Sequence, residues 1–160
     1  MALENWRDLL QCCGDPELAV AIVRSIEALW RDDHHSLVVG ASERHIAAEL
    51  AVQIRTHGLF APDGKPWNVH VEYNRKGAKV KTVNGGMQVV IPDIILHRIG
   101  TDQNFLAIEL KKGASAAPDE DDLNKLRAYK QSHELNYRCA LFLRLGVDEH
   151  AGTVSCVVWA

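Results

Sequence analysis

No apolar run in this chain is long enough to cross a membrane as a helix. The N-terminus lacks the charged start and apolar middle of a secretory signal, so a cytoplasmic location is expected. No CxxC pair is present: Cys12 and Cys13 are adjacent, and Cys139 and Cys156 sit in apolar, strand-like segments. That spacing argues against a zinc site and for free thiols in a reducing compartment. A basic balance is missing too, since 18 Lys and Arg against 21 Asp and Glu give a formal net charge of −3. A generic nucleic-acid coating protein would be basic. An enzyme that needs only a local basic surface beside an acidic site is not excluded. His45 and Glu49 are four apart, but no second histidine completes an HExxH arrangement. Repeats and low-complexity segments are absent. What remains is an ordinary globular composition over 160 residues, 47% apolar and 24% charged, which is enough for one domain with a real core.

The N-terminal third reads as helical. A short helix is expected over residues 3–12. Asp15-Pro16-Glu17 supplies a cap and then a proline at the first helical position of a second helix, with Leu18, Ile22, Ile26 and Leu29 at helical spacing to about Arg31. Residues 32–35 are polar and read as loop. Ser42 caps the next helix, Ile46, Leu50 and Ile54 form its stripe, and Gly58 ends it. Three helices are thus expected before the first strand. Glu43 lies on that stripe one turn before Ile46, whereas Glu49 lies to its side and reads as solvated.

Strands follow. Residues 67–73 alternate in polarity. Residues 74–81 form a basic loop or hairpin end holding Arg75, Lys76, Lys79 and Lys81. Asn84-Gly85-Gly86 marks a turn. Residues 87–99 read as a long strand interrupted at Pro92, a distortion of the kind that re-aims a side chain, here Asp93. A turn at 100–104 leads to the strand carrying Glu109. A small-residue loop spans 113–118. An acid-first helix begins at 119–122, with Leu123, Leu126 and Tyr129 or Lys130 on its inner face. Cys139–Leu145 and residues 153–159 are the last strands.

The chemistry concentrates in Pro92-Asp93 and, sixteen residues past the aspartate, Glu109-Leu110-Lys111. Strand side chains alternate faces, so Glu109 and Lys111 share one face while Ile108 and Leu110 take the other. The segment from Phe105 is apolar until the acid, and charges there are costly unless paired or binding something. Two carboxylates suit a hard cation such as Mg²⁺, and a lysine beside them can orient or deprotonate a water. Each residue also has a plainer reading. Asp93 can cap a turn, Glu109 and Lys111 can form a surface ion pair, and Glu43 can serve the helix dipole. Glu72 either joins the site or pairs with Arg75. His97 shares parity with Asp93, and either approaches the site or is a satisfied structural histidine.

Pro92-Asp93 followed by Glu109-x-Lys111 resembles the signature of the PD-(D/E)xK nucleases, which have a restriction-endonuclease-like fold. The flanking landmarks Ser42-Glu43-Arg44, Val71 to Arg75 and Asp122 to Tyr129 are similar to those of a group of small prokaryotic proteins of that superfamily. The resemblance covers roughly residues 42–145. It implies an α/β fold with a central mixed sheet flanked by helices. Residues 1–160 would form one domain, with 1–41 a helical N-terminal extension and 42–160 the core. It implies a nuclease that hydrolyses phosphodiester bonds with Mg²⁺, or Mn²⁺ as substitute, most naturally in DNA and in restriction, repair or phage defence. Asp93, Glu109 and the backbone carbonyl of Leu110 would bind the metal, Lys111 would position the attacking water, and Glu43 would contribute from its helix. Arg75, Lys76, Lys79, Lys81 and Lys112 would contact the nucleic-acid backbone. Proteins this small in the superfamily commonly form a homodimer or act with a larger partner. The alternative is a nuclease-fold module that binds nucleic acid or a protein of a defence system without cutting.

Overall fold

The computed structural model describes residues 2–73, 75–76, 79–83, 85–86 and 88–160; for residues 75, 76, 79, 80 and 88 the backbone alone is described. Four helices come first: α1 (Trp6–Gln11), α2 (Pro16–Asp32), α3 (His34–Val38) and α4 (Glu43–His57). Asp15 caps α2 by accepting from the Leu18 N–H at 3.0 Å, with Pro16 at the first helical position as expected. Ser42 caps α4 by accepting from His45 N–H at 3.2 Å, and Gly58, at φ +64°, ends it where a side chain would be strained. The expected loop at 32–35 is instead the junction of α2 with α3, so the count before the first strand is four helices, not three. Burial of Leu37 accounts for that extra turn.

Five strands form the central sheet in the order β1 (Asn68–Val71), β6 (Ile94–His97), β7 (Asn104–Lys112), β8 (Cys139–Leu145) and β9 (Val154–Trp159). β1, β6 and β7 pair antiparallel, β7 and β8 pair parallel, and β9 returns antiparallel. A parallel pair needs a crossover, and α5 (Glu120–Gln131) supplies it between β7 and β8. This is an α/β fold built on a mixed sheet with helices on both faces.

Two small antiparallel ribbons stand between β1 and β6: β2 (Arg75–Lys76) with β3 (Lys79–Val80), and β4 (Thr82–Val83) with β5 (Gln88–Val89). The expected single strand over 87–99 is therefore two. β5 belongs to a ribbon, β6 belongs to the central sheet, and the chain between them contains Pro92, which has no N–H to give a ladder.

The sheet divides the core into two apolar layers. Leu106, Ile108 and Leu110 of β7 face the layer built by Leu18, Ile22, Ile46, Leu50 and Ile54 of α2 and α4. Burying each such side chain contributes about 1.5–3 kcal/mol, so the α4 stripe is what docks this helix. Trp6 and Leu10 of α1 join the same layer, so this helix is part of the core packing. Ala107 and Ile95 face the other layer, with Leu123, Leu126 and Tyr129 of α5. The loop before α5 is held by buried Arg144, whose guanidinium donates to the carbonyls of Ser115 and Ala117.

Candidate active site

The β6–β7 ladder ends with Ile94 opposite Ile108, and Asp93 and Glu109 are the next residues on either side, close enough for their carboxyls to interact. Both carboxyls lie on the α5 side of the sheet. Asp93 is half-buried, and its Oδ2 accepts from the Leu110 N–H at 2.7 Å. Glu109 is 4% exposed and its Oε1 accepts from the Tyr129 hydroxyl at 2.8 Å. Just past the end of β1, Glu72 adopts a left-handed φ of 48° and donates its N–H to the Asp93 carbonyl at 3.1 Å.

Two like charges held this close in a buried site cannot both ionise freely. Burial, reinforced by Asp93, pushes the Glu109 carboxyl up to about 8. Burial also raises Asp93, against the pull of the Leu110 N–H and of Lys111. Lys111 extends from the same face two residues on. Burial acts to lower its ammonium, but Asp122, and then Glu43 and Asp93, outweigh this and leave its pKa raised. Its Nζ lies 3.2 Å from Asp122 Oδ2. Lys125, one turn along α5, donates to Asp122 Oδ1 at 2.6 Å.

Glu43 reaches this end of β7 from the opposite layer. Its Oε2 accepts from the Lys112 N–H at 3.3 Å, and its charge is felt at Lys111. Asp93, Glu109, Lys111 and Glu43 thus converge on the carboxyl end of one central strand. Among the described residues no three or more His, Cys, Asp or Glu side chains group closely enough to hold a metal ion by themselves. A cation here would rest on the Asp93–Glu109 pair, with the Leu110 carbonyl and water or substrate completing its shell. The donors fit that role: they are hard oxygens, and their mutual repulsion is what a cation relieves.

The expected basic surface fares less well. Lys81 is 1% exposed, with its Nζ 2.5 Å from the Tyr137 hydroxyl, so it cannot meet a phosphate backbone. Nothing local in the sequence separates it from its basic neighbours; burial against Tyr73 and Tyr137 does. The Lys112 ammonium is exposed but donates to the carbonyls of Gly40 and Ala41 at 2.7 and 3.0 Å. Arg75 and Lys76 form β2 and Lys79 opens β3, and their side chains lie outside the described residues. Glu72 pairs with Arg44 at 3.0 Å, while the expected alternative partner, the Arg75 side chain, lies outside the described residues. His97 is the structural alternative: 2% exposed and 2.7 Å from His70 Nδ1. Glu49 is half-buried rather than fully solvated.

Sequence reasoning missed Asp122 and Tyr129 as neighbours of the acid pair. A signal existed, because Asp122, Leu126 and Tyr129 recur at the spacing of one helix face. Comparisons with protein-family profiles, curated proteins and solved structures find no significant match, so the functional reading rests on this geometry.

Proposed function

We propose that the chain is a Mg²⁺-dependent nuclease of the PD-(D/E)xK type on a restriction-endonuclease-like core, cutting DNA in the cytoplasm in restriction, repair or phage defence. One observation carries the reading: the Asp93 and Glu109 carboxyls interact at the end of the β6–β7 ladder, with Lys111 close enough to feel the Asp93 charge. Asp93 and Glu109 would hold the ion with the Leu110 carbonyl. When bound, Mg²⁺ supplies neutralisation of the phosphate's charge and a lowered pKa for its water. Lys111 orients the attacking water and offsets the charge that develops on the phosphate oxygens. Tyr129 fixes the rotamer of Glu109 by donating to Oε1. Glu43 acts from the end of β7, directly or through water.

A second reading keeps the fold and drops cleavage: a partner-binding module of a defence system. The internal engagement of Lys81 favours it, because this buried cation is withdrawn from any nucleic-acid surface. The test is cleavage of supercoiled plasmid, single-stranded DNA and RNA with Mg²⁺ or Mn²⁺, beside Asp93→Asn and Mn²⁺ calorimetry. The nuclease reading expects metal-dependent cutting that Asp93→Asn loses. Absence of both cutting and Mn²⁺ binding sinks it and leaves the partner-binding module.

A further inference from the structure

We infer that Asp122 is a positioning residue for Lys111, anchoring its ammonium beside the Asp93–Glu109 pair while leaving N–H groups for water or a phosphate oxygen. The catalytic consequence rests on the nuclease reading; the geometry does not. Asp122 is the third residue of α5, and its side chain is 3% exposed. A carboxylate so placed is strongly unfavourable unless it is paired. Lys125 pairs with one oxygen, Oδ1, at 2.6 Å. The other, Oδ2, has the Lys111 ammonium at 3.2 Å yet accepts no aligned hydrogen bond. Lys111 is therefore held to its anchor chiefly by charge, and an ammonium with three N–H groups keeps others for water or a phosphate oxygen.

The plainer account, that Asp122 serves the α5 dipole, fits poorly. Glu120 and Asp121 lie in the same first turn, are exposed, and serve the dipole without being buried. Asp119 caps the helix by accepting from the N–H groups of Asp121 and Asp122, which fixes the backbone that aims Asp122 inward. Lys125 then holds the carboxylate by its other oxygen, so Asp122 is constrained independently of Lys111. A free lysine stem samples many rotamers, and a fixed counter-ion removes that freedom before substrate arrives.

Two measurements on the full chain test this. The first needs no activity: ¹⁵N-detected ammonium signals of lysine, with Lys111 assigned by its loss in Lys111→Arg. A persistent Lys111 signal is expected in wild type and its disappearance in Asp122→Asn, with Asp122→Glu retaining it. The second is steady-state cleavage, where Asp122→Asn is expected to lower kcat about tenfold or more with KM unchanged and Asp122→Glu to recover most of it. A merely structural Asp122 would lower the unfolding temperature and leave kcat alone. No Lys111 signal in wild type overturns the inference, including when Asp122→Asn does not fold. So does an active wild type with unchanged kcat in Asp122→Asn. An inactive wild type with the expected signals refutes the nuclease reading and leaves the Asp122–Lys111 anchor standing.

Discussion

The Tyr129 hydroxyl donates to Glu109 Oε1 at 2.8 Å, across the interface between α5 and the central strand β7. Both residues are buried, so the bond forms out of water, and it is the direct polar link from the α5 inner face to the acid pair. Tyr129→Phe removes the donor and nothing else of size. The expected cost is about 1–3 kcal/mol, because a buried carboxyl loses a partner. Cleavage should also need more Mg²⁺ for half-maximal rate, since the Glu109 rotamer is no longer held. Denaturant unfolding and a Mg²⁺ titration of the cleavage rate read the two effects. An unchanged titration midpoint would deny Tyr129 its orienting role.

Lys111→Ala is expected to abolish cleavage and leave the fold and Mn²⁺ binding largely intact. The side chain is one-third exposed and fills no core space, so its loss removes charge rather than packing. Asp122 keeps Lys125 as its partner in the variant. Plasmid nicking with Mg²⁺ or Mn²⁺ on both proteins decides it, and equal activity refutes the role.

Glu43→Gln separates helix-dipole stabilisation from service to the site. As a dipole partner alone, Glu43 would be worth a few tenths of a kcal/mol, visible in thermal unfolding. As a site residue, its neutralisation should slow Mg²⁺-dependent cleavage tenfold or more, at least about 1.4 kcal/mol of transition-state stabilisation. The amide can still accept from the Lys112 N–H, so the helix–strand contact survives the change. A cleavage rate unchanged across the Mg²⁺ titration would return Glu43 to a structural role.

Stability should fall on mild acidification through His97. Burial, with Lys81 and His70 adding repulsion, pushes its pKa down to about 4. An unfolded histidine titrates near about 6.5. Between these values the unfolded chain takes up a proton that the folded protein refuses. The contribution is fully present above about pH 6.5 and is lost as pH falls toward about 4. Urea midpoints of wild type and His97→Asn over that range measure it. The variant should show the flatter slope, and parallel slopes would refute the buried neutral imidazole.

Lys81 should act in the alkaline range. Burial lowers its pKa to about 8, whereas an unfolded lysine titrates near about 10.4. Between the two the unfolded chain again holds more protons, so this group's contribution rises with pH there. Lys81→Met should remove that rise in stability from about pH 8 to 10. A rise of equal steepness in both proteins would place the Lys81 ammonium in water.

Much of this protein was legible in the sequence because the signals were local. The Asp15 and Ser42 caps, the Ile46–Leu50–Ile54 stripe and the parity of Glu109 with Lys111 follow from backbone periods of 3.6 and 2. Those periods act over a few residues, and the α/β order of elements followed from them. The long strand expected over 87–99 failed because alternation cannot tell which sheet a segment joins. The meeting of Asp93 and Glu109 required the β6–β7 register, set by burial of Ile94 and Ile108 in one layer. Glu43 on the Lys112 N–H and Lys81 on the Tyr137 hydroxyl join segments far apart in the chain, and Asp122 meets Lys111 only once α5 docks. Such contacts come from how α4, α5 and the β4–β5 ribbon dock onto the sheet. Docking is decided by apolar surface buried between distant elements, and the charged residues are carried to their partners by that packing.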